Sequence, residues 1–99
     1  MWTQVCKISE IEEGRSKVVE TPSQPIALFK TGGKVYALFN TCPHRGGPLG
    51  EGYLEGTEVT CPWHAWTFDV RTGECSTMPG TRQPRYPVKV DGEDVLVDI

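Results

Sequence analysis

Two six-residue runs constrain this chain more than anything else in it: Cys42-Pro43-His44-Arg45-Gly46-Gly47 and Cys61-Pro62-Trp63-His64-Ala65-Trp66. Each holds one Cys and one His, spaced C-x-H in the first and C-x-x-H in the second, with 16 residues between His44 and Cys61. Thiolates and neutral imidazoles are strong ligands for soft or borderline metals. A fold for this sequence must therefore bring two Pro/Gly-rich loops to one place. Pro43 and Pro62 stiffen those loops, while Gly46 and Gly47 let backbone approach closely. Taken singly, each Gly or Pro reads as ordinary turn chemistry.

The order Cys-His, Cys-His differs from the C-x2-4-C then H-x3-5-H spacing of classical zinc fingers. An all-thiolate cluster would need four neighbouring cysteines, and Cys6 and Cys75 lie far along the chain. A [2Fe–2S] unit with two Cys on one iron and two His on the other uses this donor set. Zinc in the same four ligands is the competing assignment. Two core cysteines and two surface histidines would be the bland one, and the repeated pattern argues against it. The spacing C-x-H-x16-C-x-x-H, with a Pro after each Cys, resembles the Rieske family.

That resemblance is strongest from Asn40 to Cys75 and weaker over the rest. It implies antiparallel β-sheets with an inserted cluster-binding subdomain at about 41–70, and a third loop covering one side of the cluster. It also implies that Cys42, His44, Cys61 and His64 hold one [2Fe–2S] cluster. Respiratory members carry an extra Cys in each ligand loop, joined as a disulfide, and Ser and Tyr hydroxyls directed at cluster sulfurs. The matching positions here are Gly47 and Trp63, then Trp66 and Phe68. The chain thus looks like the low-potential Rieske-type ferredoxins. Trp63 and Trp66 are candidates for packing under the loops, with Trp63 alternatively on the rim.

The rest of the sequence reads as an all-β chain. Helical periodicity is almost absent, and strand signals recur between Gly and Pro punctuation. Strands are expected at 2–8, 17–20, 26–30, 35–40, 57–60, 66–70, 85–90 and 95–99. Thr31-Gly32-Gly33-Lys34 marks a hairpin turn. Ser9-Glu10-Ile11-Glu12 fits a capping box for one helical turn. Residues 48–56 read as irregular, with Pro48, Gly50, Gly52 and Gly56.

At 99 residues a single domain is expected. It buries about 65% of its unfolded surface, so a metal crosslink between loops adds usefully to a modest core. The net charge of −3, with no Lys/Arg run, argues against nucleic acid. No apolar run is long enough to span a membrane, and no signal peptide is visible. A soluble, cytoplasmic chain is expected, monomeric when isolated. Cys6 and Cys75 are then expected to be reduced and buried.

The sequence shows no nicotinamide or flavin motif and no second metal constellation. The expected role is not catalysis but single-electron transfer, from a reductase to a terminal oxygenase or similar enzyme. Two alternatives are the small subunit of an assimilatory NADH-dependent nitrite reductase and a zinc-stapled binding module.

Overall fold

The computed structural model describes residues 1–21, 24–41, 47–63 and 66–99. Among the described residues ten strands form three antiparallel sheets: β1 (Trp2–Lys7), β2 (Ser16–Glu20), β3 (Pro25–Thr31), β4 (Lys34–Phe39), β5 (Tyr53–Glu55), β6 (Glu58–Thr60), β7 (Thr67–Asp69), β8 (Arg85–Tyr86), β9 (Val88–Asp91) and β10 (Asp94–Asp98). The strand orders are β1-β10-β9, β2-β3-β4-β8 and β5-β6-β7. The all-β expectation holds. Among the described residues the only helical pieces are two short 3-10 turns, and no helix is long and apolar enough to cross a membrane.

The β2-β3-β4-β8 sheet is the middle layer. Its β3 carries the run Ile26-Ala27-Leu28-Phe29, and all four residues are fully buried. Successive strand side chains point to opposite faces. Ile26 and Leu28 therefore join one core, with Cys6, Ile11, Val19, Val35, Ala37, Val95 and Val97 under the β1-β10-β9 sheet. Ala27 and Phe29 join the other, with Leu38, Leu49, Val59, Cys61, Phe68, Val70 and Cys75. A continuous apolar run is what burial on both faces requires. Each large side chain so buried contributes about 1.5–3 kcal/mol.

The β3–β4 hairpin turns on Gly32 and Gly33, at φ 63° and 76°. These are values a type I′ turn needs at both central positions. Glu13 pins the turn: its carboxylate accepts the Gly32 and Gly33 N–H groups at 2.7 and 3.0 Å. Those two hydrogen bonds hold its pKa below the ordinary carboxylate range.

Three local expectations need correction. The helical turn spans Ile8–Glu10, not a box opening at Ser9; Glu10, not Glu12, closes it by accepting the Lys7 N–H at 2.7 Å. The stretch 48–56 is not wholly irregular: Tyr53–Glu55 pairs with β6 in the register Tyr53↔Thr60, Leu54↔Val59, Glu55↔Glu58. The strand expected over 85–90 is two strands. Arg85–Tyr86 pairs with β4, and Val88–Asp91 pairs with β10. Pro87, which has no N–H for a ladder, stands between them.

Candidate metal centre

Of the four expected ligands the structure describes Cys61. Cys42, His44 and His64 lie outside the described residues, as do Pro43 and Arg45. Among the described residues no three His, Cys, Asp or Glu side chains gather into a metal site.

Cys61 follows β6 directly and is 1% exposed. Its N–H donates to the Trp66 carbonyl at 2.8 Å, and Thr60 pairs with Thr67 just outside. The second ligand loop is thus pinched shut at its base by β6 and β7. Val59, Phe68, Val70 and Cys75 pack around it in the same core.

The first ligand loop is closed at its base too. Thr41 pairs with Pro48 in an isolated bridge. Asn40 holds the far side: its carbonyl accepts the Leu49 N–H at 2.7 Å, and its side-chain Oδ1 accepts the Gly50 N–H at 2.8 Å. Leu49 is fully buried in the core that also holds Cys61. Both loops therefore spring from one packed base.

The described ends of the loops touch. A Cβ on Gly47 would stand 3.0 Å from Cys61 Sγ, and 2.9 and 3.0 Å from Trp63 Cγ and Cβ. Only a residue without a side chain fits there without displacing the thiol. A disulfide's Cβ atoms are about 3.5–4.5 Å apart. The positions matched above to the respiratory cysteine pair, Gly47 and Trp63, thus face each other, with an indole where the bond would lie. The donor chemistry fits an iron–sulfur group. A soft thiol sits at the floor of the paired loops, and a glycine leaves space beside it.

Trp66 packs against the core beneath the loops, whereas Trp63 is half exposed at their rim. Phe68 is fully buried and carries no hydroxyl. Cys6, Cys61 and Cys75 are all buried. Burial, with Glu10 nearby, pushes the Cys6 thiol pKa up, so it stays protonated and inert. Cys75 is closer to the centre: it shares the core with Cys61, and its Sγ accepts the Met78 N–H at 3.4 Å.

The third loop, 76–84, is tied down beside these elements. Ser76 N–H donates to the Thr67 carbonyl at 2.8 Å, and Thr67 N–H donates to Thr77 Oγ1 at 3.0 Å. Pro62, Trp63, Met78 and Pro79 are exposed. Sequence reasoning missed Asn40 and Gln83, the two amide side chains that hold the base of the first loop. Asn40 carries a weak signal, an Asn at the junction of strand and loop. Gln83, between Arg82 and Pro84, carries none.

Comparison with known proteins agrees with this geometry. The family model described as Rieske [2Fe-2S] domain matches residues 1–95. The naphthalene 1,2-dioxygenase system ferredoxin component of Pseudomonas aeruginosa is 36% identical over 99 residues, covering 99% of this chain and 95% of that protein. The 3-phenylpropionate/cinnamic acid dioxygenase ferredoxin subunit of Escherichia coli K12 is 38% identical over 96 residues, covering 95% and 90%. A solved complex of reduced oxygenase and oxidized ferredoxin in carbazole 1,9a-dioxygenase contains a similar chain. The TM-score is 0.90 at 32% identity, with 97% of this chain and 91% of that chain covered. A buried thiol at the base of two facing loops, on three antiparallel sheets matched nearly end to end, leaves one conclusion: the chain belongs to the Rieske [2Fe-2S] domain family.

Proposed function

We propose that this chain is a one-electron carrier, a ferredoxin that takes electrons from a reductase and delivers them to a terminal oxygenase. The observation that carries this is the quartet Cys42, His44, Cys61 and His64 in a chain matched over nearly its whole length by dioxygenase ferredoxins. Those relatives favour this reading over the nitrite reductase subunit, and the family favours iron over zinc.

Cys42 and Cys61 would hold one iron and His44 and His64 the other, within a subdomain of about 41–70. The separate β5-β6-β7 sheet supports that division. When bound, a [2Fe–2S] cluster with this donor set supplies a reversible one-electron couple at about −150 to +300 mV. The residues set where in that range the couple lies. Two thiolates and two neutral imidazoles leave the oxidised site uncharged, so an added electron meets less repulsion than at four thiolates. Burial at Cys61 keeps water from the sulfur. Gly47, Trp63, Trp66 and Phe68 supply neither a disulfide nor a hydroxyl, and the midpoint falls in the lower part of the span.

The histidine edges, with Pro43, Arg45, Pro62 and the third loop near Pro79, would form the contact for redox partners. Such a contact is small and short-lived, below about 1,200 Å².

The test is direct. The purified protein should be red-brown, its reduced form should show nitrogen hyperfine coupling, and His64→Ala should lose or convert the cluster and with it the native signal. A colourless protein, or a full native signal in His64→Ala, rejects the assignment. For docking, Arg45→Glu should slow turnover with reductase and oxygenase while the distant Lys89→Glu does not. Equal parental rates in both would reject the contact.

A further inference from the structure

Gln83 is the only fully buried polar or charged side chain among the described residues, at 2% exposure. It lies in the third loop and ties three segments together. Its main-chain N–H donates to the Gly73 carbonyl at 2.7 Å, in the turn after β7. Its side-chain Nε2 donates to the Phe39 carbonyl at the end of β4 and to the Thr41 carbonyl at 2.6 Å. The adjacent Pro84 carbonyl accepts the Phe39 N–H at 2.9 Å.

Two carbonyl acceptors on one branch of the amide identify that branch as the nitrogen. Oε1 is then committed to the other side. There it is buried and has no hydrogen-bond partner among the described residues. The Thr41 carbonyl is half of the peptide unit that leads into Cys42, so holding it fixes where the first ligand loop begins.

We propose that Gln83 is a positioning residue for the cluster: its Nε2, held on the Thr41 carbonyl, clamps the entry of the first ligand loop. This rests on the cluster assignment above. Gln83 touches no ligand among the described residues. It acts through the Thr41 peptide, setting how Cys42 is presented.

The experiment compares Gln83→Met with Val95→Ala on the loaded protein. Methionine keeps the length and removes both donors and the acceptor. Val95 is fully buried in the other core, so its truncation lowers stability away from the loops. Gln83→Met should release iron to a chelator about tenfold faster, the size expected when a ligand's supporting group is lost. It should also shift the g-values and the midpoint. Val95→Ala should lower the thermal midpoint yet keep the parental release rate, spectrum and potential. If Gln83→Met does not fold, Gln83→Glu gives the same comparison, with the donors gone and the shape kept. Parental release and potential in the Gln83 variant overturns the inference, as does an equal change in Val95→Ala. A wild-type chain that binds no iron–sulfur cluster overturns the functional assignment instead.

Discussion

At the scale of single residues, the site depends on what is missing as much as on what is present. Gly47 has no side chain, and Trp63 stands where a crosslink could. Gly47→Cys combined with Trp63→Cys should therefore close a disulfide under mild oxidation, since a Cβ at 47 lies 3.0 Å from that of Trp63. That is about 0.5–0.8 Å short of the usual spacing, so the two loop ends must part slightly as the bond forms. Mass spectrometry detects the loss of two hydrogens, and voltammetry should show a raised midpoint. A mixture of free thiols after oxidation would mean that the loops do not face each other as described. Gly52 shows the same principle in the scaffold. A Cβ there would stand 2.0 Å from the Thr60 carbonyl oxygen, with backbone on both sides. Gly52→Ala should cost about 3 kcal/mol in chemical denaturation, at the upper end of the range for overpacking. The motif that carries the four proposed ligands was legible in the sequence because its spacing is rare. The contacts that support them were not. Asn40 bonds across its own loop to Leu49 and Gly50, and Gln83 acts on Thr41, a partner 42 residues away that no local pattern encodes.

At the scale of elements, local signals succeeded where a single element decides and failed where two compete. The run Ile26-Ala27-Leu28-Phe29 and the Gly32-Gly33 turn fixed the central hairpin. Tyr53–Glu55 was lost because the glycines around it read as loop, and only pairing with β6 makes it a strand. Pro87 divides one apparent strand between two sheets, a distinction that rests on partners distant in sequence. The turn after β7 gives an electrostatic prediction. The Asp69 carboxylate accepts from Arg71 through its main-chain N–H at 2.8 Å, Nε at 3.2 Å and Nη2 at 2.9 Å. The Arg71 side chain is the main cause that holds the Asp69 pKa below the ordinary carboxylate range, with the main-chain bond adding to it. A carboxyl with a lowered folded pKa stabilises the fold above its unfolded pKa, and that contribution is lost as pH falls through the folded value. Asp69→Asn should thus cost ~0.5–1 kcal/mol at neutral pH, the scale of a part-exposed ion pair. The gap to wild type should close on acidification below the carboxylate range. A gap that persists in acid would assign the effect to the main-chain bond alone.

At the scale of the whole molecule, two cores share one sheet, and among the described residues only one of them holds Leu49 and Cys61 at the base of the ligand loops. Chelating the iron should therefore loosen one side. Amide exchange should rise at Cys61, Phe68 and Cys75, which sit in the core beneath the loops, while Val95 and Val97 keep their protection. Uniform acceleration across both cores would show that the cluster stabilises the chain globally. The strand registers also set a kinetic order. The β2-β3-β4 meander is complete by Phe39, built from neighbours in sequence, before either ligand loop has appeared. β1 pairs with β10 in the register Trp2↔Asp98 to Lys7↔Asp94, across nearly the full chain. Joining such distant segments carries the largest loop-closure entropy, and contacts of that span slow folding. During synthesis the first strand must wait for the last one to emerge. The meander can stand as a template for the ligand loops throughout that interval, so the metal site can assemble while the sheet on the opposite face is still open.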